Sequence, residues 1–222
     1  MLFNKKAMDL ATGLRPEKKL QLFNKGGKSE IYIYDVIGES FGGIGPKQVI
    51  DVLKGAQGNS LDIHILSEGG DVFAAKGIYN ALVQFKGKKT CYVDGLAASA
   101  ATFVMCAGDQ ILAAPGSTFM THGVWTATIG NADDMRKMAD QLEMETKNIA
   151  SIYAKRCNKP VDEMVTWMAD EQWFDCERAK ELGFIDGEYE TVAASATQPE
   201  SRKISVKASP IEVMRMRAQS KR

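Results

Sequence analysis

Between residues 30 and 186 strand-like and helix-like stretches alternate, and that alternation confines the chain to layered α/β architectures. The β-rich run at residues 30–37 ends at Gly38 and predicts a first strand. Pro46 then opens a helical stretch over 47–53, in the first-turn position that proline favours. Residues 61–66 predict a second strand leading into Ser67-Glu68-Gly69-Gly70. Asp71 caps a helix over 72–85, whose Phe73, Gly77, Ile78, Ala81 and Leu82 share one face. Residues 90–93 predict a third strand, with Gly95 turning it into a small-residue helix over 97–107. Residues 110–114 and 117–121 predict two further strands. A long helix is expected from about 132 to 156, with Met135, Met138, Leu142, Ile149 and Ile152 in an apolar stripe that Glu145 interrupts. Short helices at 160–168 and 177–182, the second closed by Gly183, complete the series.

Three segments follow from this pattern: an N-terminal arm at 1–28, one domain at 29–190, and a tail at 191–222. The tail carries seven basic residues against two acidic ones from Glu200 onward. Residues 210–217 within it have the composition of a short helix that forms on contact. Lys+Arg and Asp+Glu both number 28, so net charge supplies no reason to expect nucleic acid as a partner. No apolar run reaches membrane-span or signal-peptide length, so a cytoplasmic protein without a membrane partner is expected. Cys91, Cys106, Cys157 and Cys176 form no CxxC pair, and two histidines are too few to complete ordinary zinc sites. Free thiols in a reducing compartment, and no metal or organic cofactor, are the expectation.

The scarcity of histidine narrows the chemistry. His64 shares a strand face with Asp62 and Leu66, opposite Ile63 and Ile65, and reads as a structural strand residue. His122 ends the strand Phe119-Met120-Thr121, where α/β proteins place reactive groups. Ser99 lies in Gly95-Leu96-Ala97-Ala98-Ser99-Ala100-Ala101, at the start of a predicted helix whose dipole favours developing negative charge. Taken alone, this small-residue run equally suits tight helix packing. The paired glycines of Ser67-Glu68-Gly69-Gly70 allow backbone N–H groups to face a ligand, as an oxyanion hole requires, or form an ordinary strand-to-helix turn. Neither G-x-S-x-G nor a nucleotide-binding glycine motif is present.

The order of these segments resembles the proteolytic subunit of the Clp protease. The resemblance rests on Ser67-Glu68-Gly69-Gly70, the Gly95–Ser99 run, Met120-Thr121-His122, the long helix, and the stretch from Glu171 to Asp186. It covers about residues 30–187. It implies the repeated β-β-α spiral that this family shares with crotonases, with the long helix protruding as a handle. It further implies Ser99 as nucleophile, His122 as general base, and Gly70 and Ala100 as oxyanion N–H donors. The position of the family's third triad residue falls on Glu171, with Asp170 as the alternative. Glu68 stands where the family commonly has proline.

Glu171-Gln172-Trp173-Phe174 and the opening Glu30–Tyr34 run resemble the phage head-maturation branch of this family, which cuts capsid or scaffold proteins. That likeness implies a protein or peptide substrate, a homo-oligomeric ring (a heptamer or a double ring), and no obligatory ATPase, although a separate ATPase subunit is compatible with it. An acyl-CoA enzyme of crotonase type, a catalytically inactive assembly or shell protein, and a Ser-Lys peptidase like signal peptide peptidase A are the competing readings.

Overall fold

The computed structural model describes residues 20–190. The first 19 residues of the expected arm, and the expected tail with its helix at 210–217, lie outside the described residues. Strands β1 (Leu20–Lys25) and β2 (Lys28–Ile33) form an antiparallel hairpin about Gly26 and Gly27. Residues 20–28, read from sequence as part of an arm, therefore begin the sheet. Their weak patterning has a physical reason: β1 is an edge strand, exposed along most of its length, and needs no continuous apolar face.

After a 3-10 turn at Glu39–Phe41 come α1 (Pro46–Leu53), β3 (Ser60–Ser67), α2 (Val72–Val83) and β4 (Lys88–Ala98). Then follow α3 (Ala100–Met105), β5 (Gln110–Ala113), β6 (Thr118–Thr121), the long α4 (Ala132–Cys157), α5 (Val161–Ala169), β7 (Gln172–Phe174), α6 (Cys176–Leu182) and β8 (Gly187–Glu188). The sheet order is β1-β2-β3-β4-β5-β8, with β6 and β7 branching from β4. β2, β3, β4 and β5 are mutually parallel in turn, as helical crossovers require. This is the mixed α/β architecture expected from the alternating pattern.

One face of the sheet carries Ile31, Ile33, Ile63, Ile65, Cys91 and Val93, all essentially inaccessible. Val49 of α1 and Ala75, Ile78 and Leu82 of α2 cover them in a single apolar cluster. Truncating one of these aliphatic side chains to alanine costs about 2–5 kcal/mol in such a setting. All four cysteines are free thiols.

β4 departs most from the sequence expectation. Its first half pairs with β5, Thr90 to Val93 against Gln110 to Ala113, and its second half with β6, Leu96 to Ala98 against Thr118 to Met120. Between them three residues of β4, 94 to 96, oppose the single residue Leu66 of β3. Gly95 sits in this irregularity at φ 143°. It therefore bends the strand toward a new partner and does not end it, and the predicted helix over 97–107 shortens to α3. The strand-to-helix turn falls on Ser99 instead.

α4 is well capped. The Asn131 side chain accepts from the Asp133 and Asp134 N–H groups at 2.9 and 3.1 Å, and Asp134 accepts in return from the Asn131 N–H at 3.0 Å. Only its C-terminal end is buried, through Ile149, Ala150, Tyr153, Ala154 and Cys157. Its N-terminal half protrudes, with Met135 and Met144 exposed. Glu145, which breaks the apolar stripe, forms an ion pair with Lys76 of α2 where the protruding half begins. No helix of the described residues is long and apolar enough to cross a membrane.

Candidate active site

Ser99 joins β4 to α3 with φ 55° and ψ −119°. It is one of two non-glycine residues with positive φ among those described, a backbone state that costs about 1–3 kcal/mol. Tertiary hydrogen bonds hold it there. The Ser99 N–H donates to Met120 O at 2.8 Å, and the Thr102 N–H to Ser99 O at 3.1 Å. The Thr102 hydroxyl reaches both Ala97 O, at 2.6 Å, and Met120 O, at 2.7 Å. A strained serine between strand and helix presents its hydroxyl at the apex, the mechanical role of a nucleophile elbow, here without the G-x-S-x-G sequence. The alanines around it are core residues: Ala97, Ala98, Ala100 and Ala101 are all buried.

His122 follows β6, the strand that pairs with the end of β4. The two segments bring Ser99 Oγ to 2.7 Å from His122 Nε2. Burial holds the imidazole below its ordinary pKa, while the Glu171 charge and a backbone hydrogen bond at Gly123 oppose that shift. A neutral ring with its proton on Nδ1 leaves Nε2 as an acceptor for the serine proton.

Strand register bears on where Glu171 and Asp170 lie. β6 and β7 are antiparallel, with Phe119 opposite Phe174, Met120 opposite Trp173 and Thr121 opposite Gln172. The ladder ends at Thr121 and Gln172; His122 and Glu171 are the residues just beyond it on either side, and the Glu171 charge acts on the His122 imidazole. Asp170 ends α5 one position earlier. No hydrogen bond joins Glu171 to His122. The Glu171 carboxylate accepts instead from the Trp173 indole, Nε1 to Oε1 2.8 Å. The other face of the ladder is apolar: Phe119 stacks on Phe174 at 5.6 Å, and the Trp167 indole donates to the buried Thr121 hydroxyl at 2.9 Å. A cavity of about 580 Å³ lined by Lys159, Glu163, Met164, Trp167, Gln172 and Leu182 includes neither Ser99 nor His122.

The glycine turn abuts the serine turn. Gly69 lies at φ 92°, and a Cβ there would sit 2.5 Å from Ala98 O and 2.8 Å from Ala100 N. At Gly70 a Cβ would meet Ile37 O at 2.0 Å. The Ser67 hydroxyl pins the turn by donating to Asp35 O at 2.6 Å and accepting from the Gly69 N–H at 3.1 Å. The N–H groups of Gly70 and Ala100 enter no hydrogen bond among the loops, turns and caps of the described residues. Two free donors beside a serine–histidine pair are chemically suited to an anionic oxygen. Of the residues that the sequence and its resemblance single out, Ser99, His122, Gly70 and Ala100 lie on adjoining turns, but neither pointed to Thr102 and Ser67 as braces. Their roles arise from pairing between distant strands and leave no local signal.

Fold and site together define a mixed α/β protein that presents a serine and a histidine in hydrogen-bonding contact at a strand-to-helix turn. The Clp protease family model matches residues 46–191, and the chain belongs to this family. It is 28% identical to the ATP-dependent Clp protease proteolytic subunit of Chlorella vulgaris over 132 residues, 59% of this chain and 66% of that one. It is 27% identical to proteolytic subunit 1 of Streptomyces coelicolor over 139 residues, 62% of each chain. With proteolytic subunit 2 of Thermobifida fusca the identity is 31% over 128 residues, 57% of this chain and 63% of that one. The matches thus span about two thirds or less of these relatives.

Proposed function

We propose that the chain is a serine endopeptidase that cuts protein or peptide substrates through an acyl-enzyme. The observation carrying this reading is the 2.7 Å contact between Ser99 Oγ and His122 Nε2. In the proposed cycle Ser99 Oγ bonds to the scissile carbonyl carbon as its proton passes to His122 Nε2. The N–H groups of Gly70 and Ala100 receive the negative oxygen. Collapse of the tetrahedral intermediate breaks the C–N bond, and His122 delivers its proton to the departing amine. Water, deprotonated by the same imidazole, then releases the acyl group. Glu171 orients and stabilises the imidazolium. Residues 20–190 serve as the catalytic domain in this reading, and no metal or organic cofactor takes part.

The proposed biological task is head maturation of a phage, with capsid or scaffold protein as substrate, in the host cytoplasm and without an obligatory ATPase. Its support is the resemblance of the Glu171-Gln172-Trp173-Phe174 segment and of the Glu30–Tyr34 run to the phage head-maturation branch. A ring assembled from copies of the chain fits the protruding half of α4 and the exposed Trp125 and Ile129 before it. The test is a fluorophosphonate probe applied to wild type and Ser99→Ala, together with co-expression of each with candidate capsid and scaffold proteins. Labelling and fragments confined to wild type support the reading. Identical fragments from both, or an unlabelled wild type, reject it.

A further inference from the structure

We infer that Trp173 is a positioning residue for the acid of this site, its indole N–H holding the Glu171 carboxylate on the His122 side of the β6–β7 ladder. The inference rests on the peptidase reading above. Trp173 and Glu171 are two apart at β7 and so project to the same face, the face of Met120, which pairs with Trp173 and stands two residues before His122. Gln172 and Phe174 point the other way, and Phe174 is buried there. Core packing thus accounts for Phe174 but not for Trp173, which is 41% exposed. What Trp173 does have is one directed polar contact, Nε1 to Glu171 Oε1 at 2.8 Å.

That contact addresses a specific difficulty. Glutamate has one more rotatable bond than aspartate, and immobilising it costs more side-chain entropy. Glu171 is exposed, so water competes for its carboxylate. An indole N–H is a donor only, on a rigid ring with two torsions, and is suited to fixing one carboxylate oxygen. Oε2 is then left for the Nδ1 proton of His122, whose imidazole feels the Glu171 charge. A bond to a charged acceptor is also stronger than one between neutral groups. The glutamate and the tryptophan two residues later therefore act as one unit, the longer acid being usable because the indole restrains it.

The test compares wild type, Trp173→Phe, Glu171→Gln and the double variant. Phenylalanine keeps the ring and removes only the donor. The readouts are the His122 titration followed by imidazole NMR, the pH profile of Ser99 acylation by a fluorophosphonate, and kcat and KM on a peptide. Trp173→Phe is expected to lower the His122 pKa and slow acylation about tenfold with KM unchanged, and to have no further effect once Glu171 is glutamine. An equal loss in both backgrounds assigns Trp173 a merely structural part and overturns the inference. So does no change. A rise in pKa or rate also overturns it, because the indole would then be withholding the acid from His122. Should Trp173→Phe fail to fold, the Trp173 indole N–H resonance in Glu171→Gln decides: a shift upfield of wild type is expected, and an unmoved signal rejects the contact. A wild type that is never acylated sinks the peptidase reading, whereas the His122 titration and the indole resonance still judge the tryptophan.

Discussion

The chain has two histidines, and both stand on the same sheet within reach of a carboxylate, yet their surroundings differ in kind. His64 lies inside β3 with its ring stacked between Tyr32 and Tyr92, at centroid distances of 4.5 and 4.9 Å. Its Nδ1 is 2.7 Å from Asp94 Oδ2, and Asp94 also accepts from the hydroxyls of Tyr34 and Tyr189. Burial raises the Asp94 carboxyl pKa, but the bonds from His64, Tyr189 and Tyr34 hold it below its ordinary value. Burial and the Asp94 charge push the Tyr34 and Tyr189 hydroxyls well up. Every group in that cluster is engaged by another. His122 ends its strand, carries no stacked ring among the described residues, and gives its Nε2 to a serine beside two unpaired N–H donors. A histidine–carboxylate pair alone is therefore no sign of catalysis. A saturated pair braces a sheet, and a pair left open toward a nucleophile can move protons.

The strongest way to break this comparison is to remove each histidine. Ser99→Ala and His122→Ala should each lower peptide hydrolysis by about 10⁴-fold or more, whereas His64→Gln should stay within about twofold per folded molecule. Loss of activity in a well-folded His64→Gln protein would reverse the assignment of roles. Next in size is the glycine turn. Gly69→Ala places a Cβ against Ala98 O and Ala100 N in a left-handed backbone, and should cost about 100-fold in kcat by displacing an oxyanion donor. Wild-type kcat in that variant would separate the turn from the chemistry.

A smaller effect sharpens the structural half. Asp94→Asn should destabilise the fold by about 2 kcal/mol in urea titrations at neutral pH, with specific activity retained. Because the folded pKa of Asp94 is depressed, its stabilisation is complete above the ordinary carboxylate range. It fades as pH falls through the folded value, so the gap between variant and wild type should close in acid. A gap independent of pH would disconnect Asp94 ionisation from stability. The gentlest probe is the acid limb of Ser99 acylation. The His122 pKa is depressed, so the neutral base persists below pH 6.5 and the rate should halve below that point. The linked stability has the same sign: below pH 6.5 the unfolded chain takes the proton first, and folding stability declines as pH drops. A midpoint above pH 6.5 would mean that the Glu171 charge outweighs burial.

Some features were readable residue by residue because their causes are local. Pro46, Asp71, the apolar alternation of β3 and the stripe of α4 each announce an element through nearby spacing. Two histidines and one Gly-x-Ala-Ala-Ser run left few candidates for base and nucleophile, and the resemblance to the Clp family joined Ser99 to His122. β1 was hidden by its exposure, and β7 by being three residues long.

The amino-acid order by itself thus determined the α/β alternation and offered Ser99 and His122 as candidates, while their pairing and the choice of Glu171 or Asp170 came from the resemblance to the Clp family. Only the tertiary structure decided that β4 continues past Gly95, that Ser99 itself takes the strained turn, that its hydroxyl meets His122, and that the Glu171 carboxylate rests on Trp173. Periodicity and capping act within a few residues, whereas strand register and a positive φ at serine are sustained by partners tens of positions away. A linear reading has no access to the pairing energy that makes such choices.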